Sequence, residues 1–135
     1  NVGGKFIGTT LNGQKVFDAL KTSEVILGET YDSILWKIKK KYTNEEFRND
    51  ESSISMPIDV YINSIGKTTT EWLVNFKYLE EQAMNYNLEL KTLGEFEDMY
   101  KKLESSKTKY GDASSMSDPL KELSYLYNYF IFEKI

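Results

Sequence analysis

The sequence predicts a mixed α/β domain, and three observations lead to this prediction. Segments such as "IDVYINSI" alternate apolar and polar residues with the two-residue period of a β-strand. Segments such as "FKYLEEQAMNY" place apolar residues at the spacing of one helical face. The chain has 135 residues, of which 40% are hydrophobic, and this suits one domain with a core of its own.

The first part of the chain is predicted to contain three strands and one helix. Residues 5–10 follow a glycine turn and have the pattern of a short buried strand. Asn12 is a candidate N-cap for a helix that carries Val16, Phe17 and Leu20 at helical spacing. Residues 24–42 are predicted as two strands around a turn at 28–32. The second strand is predicted to lie at a sheet edge because it is rich in lysine (Lys37, Lys39, Lys40 and Lys41).

The middle of the chain is predicted to form a loop, a strand and the longest helix. Residues 44–56 are polar and indicate a loop. The strand after Pro57 alternates, with Ile58, Val60 and Ile62 on one face and Asp59, Tyr61 and Asn63 on the other. The stretch "TTTEWLVNF" predicts a helix start, because Thr68 and Glu71 have the spacing of a capping box. An apolar helical stripe follows, formed by Trp72, Phe76, Leu79, Ala83 and Tyr86.

The C-terminal part of the chain is predicted to contain a strand, two helices and a final strand. Residues 88–93 alternate as a short strand, and residues 94–103 have the spacing of a short amphipathic helix. Residues 105–119 are rich in Ser, Lys and Asp without an apolar pattern, which predicts a mobile loop. A helix at 120–126 and a strand at 129–134 complete the predicted order.

The composition excludes several classes of chemistry. The chain contains no histidine and no cysteine, which excludes Ser-His-Asp and Cys-His nucleophiles, disulfides and most transition-metal sites. The net charge of -4 argues against nucleic-acid binding through bulk charge, although it leaves a local basic patch open. No signal peptide or membrane-spanning run is visible, so we expect a soluble, intracellular protein.

Three stretches of the chain together resemble one family. They are "GGKFIGTT", "TEWLVNFKYLEEQAMNYNLEL" and "YLYNYFIFEK", and they span nearly the whole sequence. In this order they resemble the C-terminal half of the messenger-RNA cap guanine-N7 methyltransferases. The phrase "DVYINSIGKTTTEWLVNF" is most similar to the capping enzymes of large DNA viruses, which would place the protein in the host cytoplasm or the virion.

The resemblance implies a fold and a set of partners. It implies the C-terminal half of a Rossmann-like class I methyltransferase fold with a mixed sheet, spanning residues 1–135. The family binds S-adenosylmethionine through an acidic-Gly-x-Gly loop after its first strand, and this sequence contains no such loop. We therefore expect the methyl donor to be bound mainly by an upstream half of the same domain. The other expected partners are the capped RNA end (GpppN) and a stimulatory subunit of the capping enzyme, whereas no membrane is expected.

The resemblance also implies residues for the cap-guanine pocket. Glu71 matches a glutamate that contacts the guanine edge, but a capping-box acid is the ordinary alternative. Tyr127 matches a cap-contacting tyrosine before the last strand, and Tyr61 is the candidate for an aromatic beside the cap. Either tyrosine is alternatively structural. Leu11 is expected to wall the pocket at a position where the family often has proline, or else belongs to an ordinary turn. The lysines at 37–41 are alternatively contacts for RNA phosphates.

The implied reaction suits a chain without histidine or cysteine. N7 of guanine has a lone pair and no proton, so its methylation requires no general base and no metal, and no catalytic residue is expected. Orientation of the reactants alone can contribute ~7–11 kcal/mol. The sequence therefore predicts part of an mRNA cap guanine-N7 methyltransferase that is inactive without its upstream half. A non-catalytic methyltransferase-like subunit of a capping complex and a plain protein-interaction domain are the alternatives.

Overall fold

The computed structural model of the protein describes residues 1–105 and 115–135. Within these residues the chain forms seven strands, which are β1 (Lys5–Leu11), β2 (Val25–Glu29), β3 (Ile34–Lys40), β4 (Pro57–Ile62), β5 (Lys67–Trp72), β6 (Leu88–Glu95) and β7 (Tyr127–Lys134). It also forms four α-helices and a 3-10 helix, which are α1 (Gly13–Ala19), α2 (Phe76–Met84), α3 (Phe96–Ser105), α4 (Asp118–Ser124) and Glu51–Ser55. The predicted mixed α/β class is confirmed. Most of the predicted mobile loop, residues 106–114, lies outside the described residues.

The described strands form two sheets, and every ladder in them is antiparallel. One sheet has the order β1-β7-β6 and the other has the order β2-β3-β4-β5. Short turns join β2 to β3 and β4 to β5, and such turns can connect only antiparallel neighbours. The expected mixed sheet is therefore not formed by these strands among themselves. Parallel pairing in the described chain is limited to one isolated bridge, between Asn12 and Val74.

The inner face of the four-stranded sheet, on which Trp36, Ile38, Ile58 and Val60 lie, holds the main core. These four side chains are at most 4% exposed. Helix α1 adds apolar residues to the same cluster, and α4 packs on β2 and β3. A second cluster lies between the three-stranded sheet and α2, and its buried members are Phe76, Phe130 and Phe132. The predicted alternation of β4 is confirmed, since Ile58 and Val60 are buried while Asp59 and Tyr61 are only partly covered.

The predicted helix start at Thr68 is wrong. Residues Lys67–Trp72 form β5, which pairs antiparallel with β4, and the helix begins only at Phe76. Its N-cap is Asn75, whose side-chain oxygen accepts a hydrogen bond from the Tyr78 amide at 3.1 Å. Three consecutive threonines favour a strand, because β-branched side chains fit a pleated surface better than a helix. Trp72 is accordingly 58% exposed instead of starting a buried stripe.

Two strands differ from their predicted surroundings. β1 is not buried, because Phe6 and Ile7 are 52% and 64% exposed, and only its last residue, Leu11, reaches the core. β3 is not an edge strand, because β2 and β4 flank it. Its lysines therefore lie on the surface of a central strand. No helix in the described part of the chain is long and apolar enough to cross a membrane.

Candidate functional site

Glu71 and Tyr127, which are far apart in the sequence, come together where the two sheets meet. Glu71 lies on β5 opposite Ile58, and this register turns its half-buried side chain toward the inner face of the four-stranded sheet. Tyr127 begins β7 and packs against the main core cluster. The bridge between Asn12 and Val74 joins the end of β1 to the segment after β5. The Glu71 carboxylate is near enough for its charge to act on the Tyr127 phenol.

The surroundings of Tyr127 favour its protonated form. Burial raises the pKa of this tyrosine, and the nearby negative charge of Glu71 raises the pKa further. The phenol therefore keeps its proton and remains a hydrogen-bond donor at physiological pH. Its ring stacks on Phe96, with the ring centroids 5.6 Å apart and the planes inclined by 30°. Phe96 therefore covers one face of the Tyr127 ring and holds its orientation.

Leu11 lies next to Tyr127 but inside the core, so its side chain does not line an open pocket as the sequence predicted. It pairs with Tyr127 in the β1–β7 ladder, so the two side chains lie on the same face, and Leu11 is 4% exposed. The next residue, Asn12, caps α1 by accepting a hydrogen bond from the Lys15 amide at 3.2 Å. Its amide nitrogen donates to Oδ1 of the buried Asn128 at 2.9 Å. The predicted cap role of Asn12 is confirmed, and the Asn12–Asn128 pair holds the start of β7 in place.

The structure does not bring Tyr61 to this group. Tyr61 lies opposite Thr68 and Lys37, whereas Glu71 lies opposite Ile58, so the two side chains are on opposite faces of the four-stranded sheet. The Tyr61 hydroxyl donates to Oδ1 of Asn63 at 3.1 Å. A cap guanine held by Glu71 would therefore be separated from Tyr61 by the sheet itself.

Two residues near the candidate site, Phe96 and Asn128, were not predicted from the sequence. Phe96 follows Glu95, which pairs with Asn128 across the β6–β7 ladder, and this register places Phe96 next to Tyr127. Its local sequence indicates only the first turn of an amphipathic helix, and the pairing of β6 with β7 is what makes the contact. An asparagine in "YNYF" at an apolar strand position is the one signal that could have drawn attention to Asn128.

Comparison with known protein families identifies the chain. The sequence profile of the mRNA (guanine-N(7))-methyltransferase domain matches residues 1–135. The chain belongs to this family. None of the curated proteins compared with the chain matches it. The resemblance found in the sequence is thus confirmed at the level of the family, whose members are methyltransferases of mRNA capping that use S-adenosylmethionine.

The described glycines of the chain lie in packed positions and in turns. Gly8 and Gly94 lie against aromatic rings, since an added Cβ would stand 2.5 Å from Phe130 and 2.0 Å from Tyr129. Gly3 and Gly66 have positive φ angles of 81° and 75°, and Gly66 lies in the tight turn before β5. Among the described residues these glycines serve packing and turns, and they form no loop that cradles a cofactor. The described residues also contain no cluster of carboxylates suited to a metal ion.

Two clefts in the described part of the chain are lined by residues other than Glu71 and Tyr127. One of about 330 Å³ is lined by residues that include Asn12 and Asn75. Another of about 410 Å³ lies between α1 and the end of β3, and Tyr42 and Lys40 line it. Neither cleft includes Glu71 or Tyr127.

Proposed function

We propose that this chain forms the cap-guanine side of an mRNA cap guanine-N7 methyltransferase. The observation that carries the proposal is the convergence of Glu71 and Tyr127, whose pKa is raised by burial and by the Glu71 charge. Membership of the family supports the reaction, and the convergence supports the place where the guanine binds. The pair comes from separate elements, β5 and β7, and the core packing of Tyr127 holds one partner rigidly.

Glu71 suits the Watson–Crick edge of guanine. N1–H and the N2 amino group are both donors, and an ionised carboxylate can accept from both through charge-assisted hydrogen bonds. Methylation of N7 places a positive charge on the ring, so a nearby carboxylate stabilises the charge as it develops. Thr69 Oγ1 lies 3.5 Å from Glu71 Oε1 on the same face of β5 and helps to orient the carboxylate. Because N7 has no proton, Glu71 acts in recognition and not in proton transfer.

Tyr127 and Phe96 would supply the apolar side of the pocket, and the buried Leu11 would support Tyr127 from the core. Contact between a base and an aromatic ring contributes about 1–3 kcal/mol. The protonated Tyr127 hydroxyl can also donate a hydrogen bond to an oxygen of the cap. Together these residues would fix the plane of the guanine and keep water from its edge, which leaves N7 oriented toward the methyl donor.

The fold supports a second part of the proposal, in which an upstream half completes the domain. Among the described strands, β1 has β7 on one side and no partner on the other, and it exposes Phe6 and Ile7. An unpaired edge next to exposed apolar side chains is suited to pairing with a further strand. We infer that β1, β7 and β6 are the distal strands of a Rossmann-like class I sheet, and that the upstream strands carry the S-adenosylmethionine site.

The test is Glu71→Gln in the complete methyltransferase, this chain together with its upstream half. Glutamine keeps the size of the side chain but removes the charge and one acceptor, so kcat/KM for a capped RNA is expected to fall about 100-fold. The matched control is Glu29→Gln, which changes an exposed glutamate on another strand and should leave the rate unchanged. A rate for Glu71→Gln equal to that of the control would refute the role of Glu71. Absence of both donor binding and methyl transfer in the unmodified protein would favour a non-catalytic subunit.

A further inference from the structure

The four-stranded sheet has an outer face that no described helix covers. Residues alternate between the faces of β3, β4 and β5, and the pairings Lys37–Tyr61–Thr68 and Lys39–Asp59–Thr70 place these side chains on the face opposite the core. Trp72, which pairs with Pro57, lies on the same face. Helix α4 packs on the other side, where Trp36 Nε1 donates to the Pro119 carbonyl at 2.7 Å.

This outer face combines one exposed and one partly buried aromatic ring with unpaired cations. The Trp72 ring is 58% exposed, and Tyr61 lies on the neighbouring strand. Lys37 and Lys39 form no ion pair within 4.0 Å with any described residue. The one acid on this face of β3, β4 and β5 is Asp59, and it already accepts from Thr70 Oγ1 at 2.9 Å and lies 3.8 Å from Lys41 Nζ.

The charge of this face is opposite to that of the chain. The whole sequence has a net charge of -4, yet the two free lysines leave the outer face positive. Aromatic rings flanked by lysines suit single-stranded nucleic acid, because bases stack on the rings while phosphates meet the cations. A protein partner recognised through apolar contact would not require the free lysines.

We propose that the outer face of β3, β4 and β5 binds the single-stranded RNA that follows the cap. The proposal rests on the function proposed above, and β5 connects the two sites. Glu71 and Trp72 are consecutive, so their side chains point to opposite faces of this strand. β5 is also the last strand in the order of its sheet. An RNA whose cap guanine contacts Glu71 therefore needs only to pass the edge of β5 to reach Trp72.

The two rings are far enough apart to contact different nucleotides. Tyr61 pairs with Thr68, and Trp72 lies four residues further along β5, a separation of about 13 Å at the rise of an extended strand. Lys37 and Lys39 lie on β3, which is separated from β5 by β4, the strand that carries Tyr61. The RNA would thus cross the strands from Trp72 past Tyr61 to Lys37.

The experiment measures binding of an uncapped octauridylate to the complete methyltransferase. Trp72 and Trp36 are the two tryptophans of the sequence, and Trp72 is the exposed one, so stacking of uracil should quench its fluorescence. Trp72→Ala is expected to raise Kd about five-fold or more, while Trp72→Phe retains part of the affinity. Replacing Lys37 and Lys39 together by alanine should lower the slope of log Kd against log salt by about 1.4, because each lost phosphate contact on a single strand contributes about 0.7.

Three controls separate this proposal from the proposed function and from misfolding. The pair Lys91→Ala and Lys101→Ala changes lysines that are ion-paired on other surfaces, and it should leave the salt slope unchanged. Glu71→Gln should bind the uncapped RNA normally even where capped RNA is not methylated. Trp72→Ala should keep the wild-type affinity for a cap analogue, which shows that it is folded. An unchanged Kd for Trp72→Ala together with an unchanged salt slope for the lysine variant would overturn the proposal. The outer face would then be a candidate binding surface for a protein.

Discussion

The buried hydroxyl of Tyr42 predicts how much the free energy of unfolding changes when it is removed. Its side chain is 7% exposed and packs against Phe17, with the ring centroids 5.9 Å apart. Its hydroxyl is buried without a hydrogen-bond partner among the described residues. Such an unsatisfied group costs about 1–3 kcal/mol. Tyr42→Phe removes the hydroxyl and keeps the ring, so we expect the free energy of unfolding at pH 7 to rise by about 1 kcal/mol.

The same substitution should change the response to alkaline pH. Burial raises the pKa of Tyr42 from 10.0 to about 12. The folded state then holds the phenolic proton more tightly than the unfolded state does. The associated stabilisation is fully present below pH 10 and is lost as the pH rises through 12. A difference of this size corresponds to about 3 kcal/mol of unfolding free energy, and it should be absent from Tyr42→Phe.

Urea denaturation at a series of pH values from 7 to 12 provides the assay. The variant should be the more stable protein at pH 7, and the difference should widen as the pH rises above 10, because only the wild type loses the contribution of Tyr42 protonation. Tyr31→Phe is the matched control, since Tyr31 is fully exposed and its change should leave the curve unaltered. Destabilisation of Tyr42→Phe at pH 7 with an unchanged alkaline slope would refute the reasoning.

Two further substitutions test the packing near the candidate site. Gly94→Ala places a Cβ 2.0 Å from the Tyr129 ring, so it should lower the free energy of unfolding by about 1–3 kcal/mol in urea titrations. Combining it with Tyr129→Leu, which removes the ring, should recover part of this stability. Asn12→Ala removes both the cap of α1 and the partner of Asn128 and should cost about 2 kcal/mol. Asn12→Ser keeps a capping oxygen and should lose less in thermal unfolding, and equal losses for the two variants would contradict the cap.

Much of the fold could be predicted where a segment's own pattern decides its structure. The alternation of "IDVYINSI" predicted which residues of β4 are buried, and Asn12 was recognised as a cap from its place before an apolar helical spacing. The start of α2 could not be predicted in the same way. Thr68 and Glu71 have capping-box spacing, but their pairing with β4 overrides that local signal, and Asn75 provides the cap instead.

The candidate site depends on contacts that no local pattern contains. The resemblance to a family suggested Glu71, Tyr127 and Leu11, and the structure brings these three together through the sheet order β1-β7-β6 and the position of β5. The place of Phe96 beside Tyr127 could not be predicted from the sequence, because this contact follows from the register of β6 on β7. The lysines of β3 were expected at an edge, since their sequence cannot show that strands flank β3 on both sides.

The loop between β4 and β5 sets the register of β5 and so decides which of its side chains lie on each face of the sheet. It comprises residues 63–66, and its conformation is closed by hydrogen bonds from the Ile65 and Gly66 amides to the Ile62 carbonyl, both 3.0 Å long. Shifting β5 by one residue against β4 would exchange the positions of Glu71 and Trp72. The carboxylate would then face solvent and the indole would face the core. An insertion or deletion of two residues in this loop would therefore keep Glu71 and Trp72 on their present faces. A change of one residue would not.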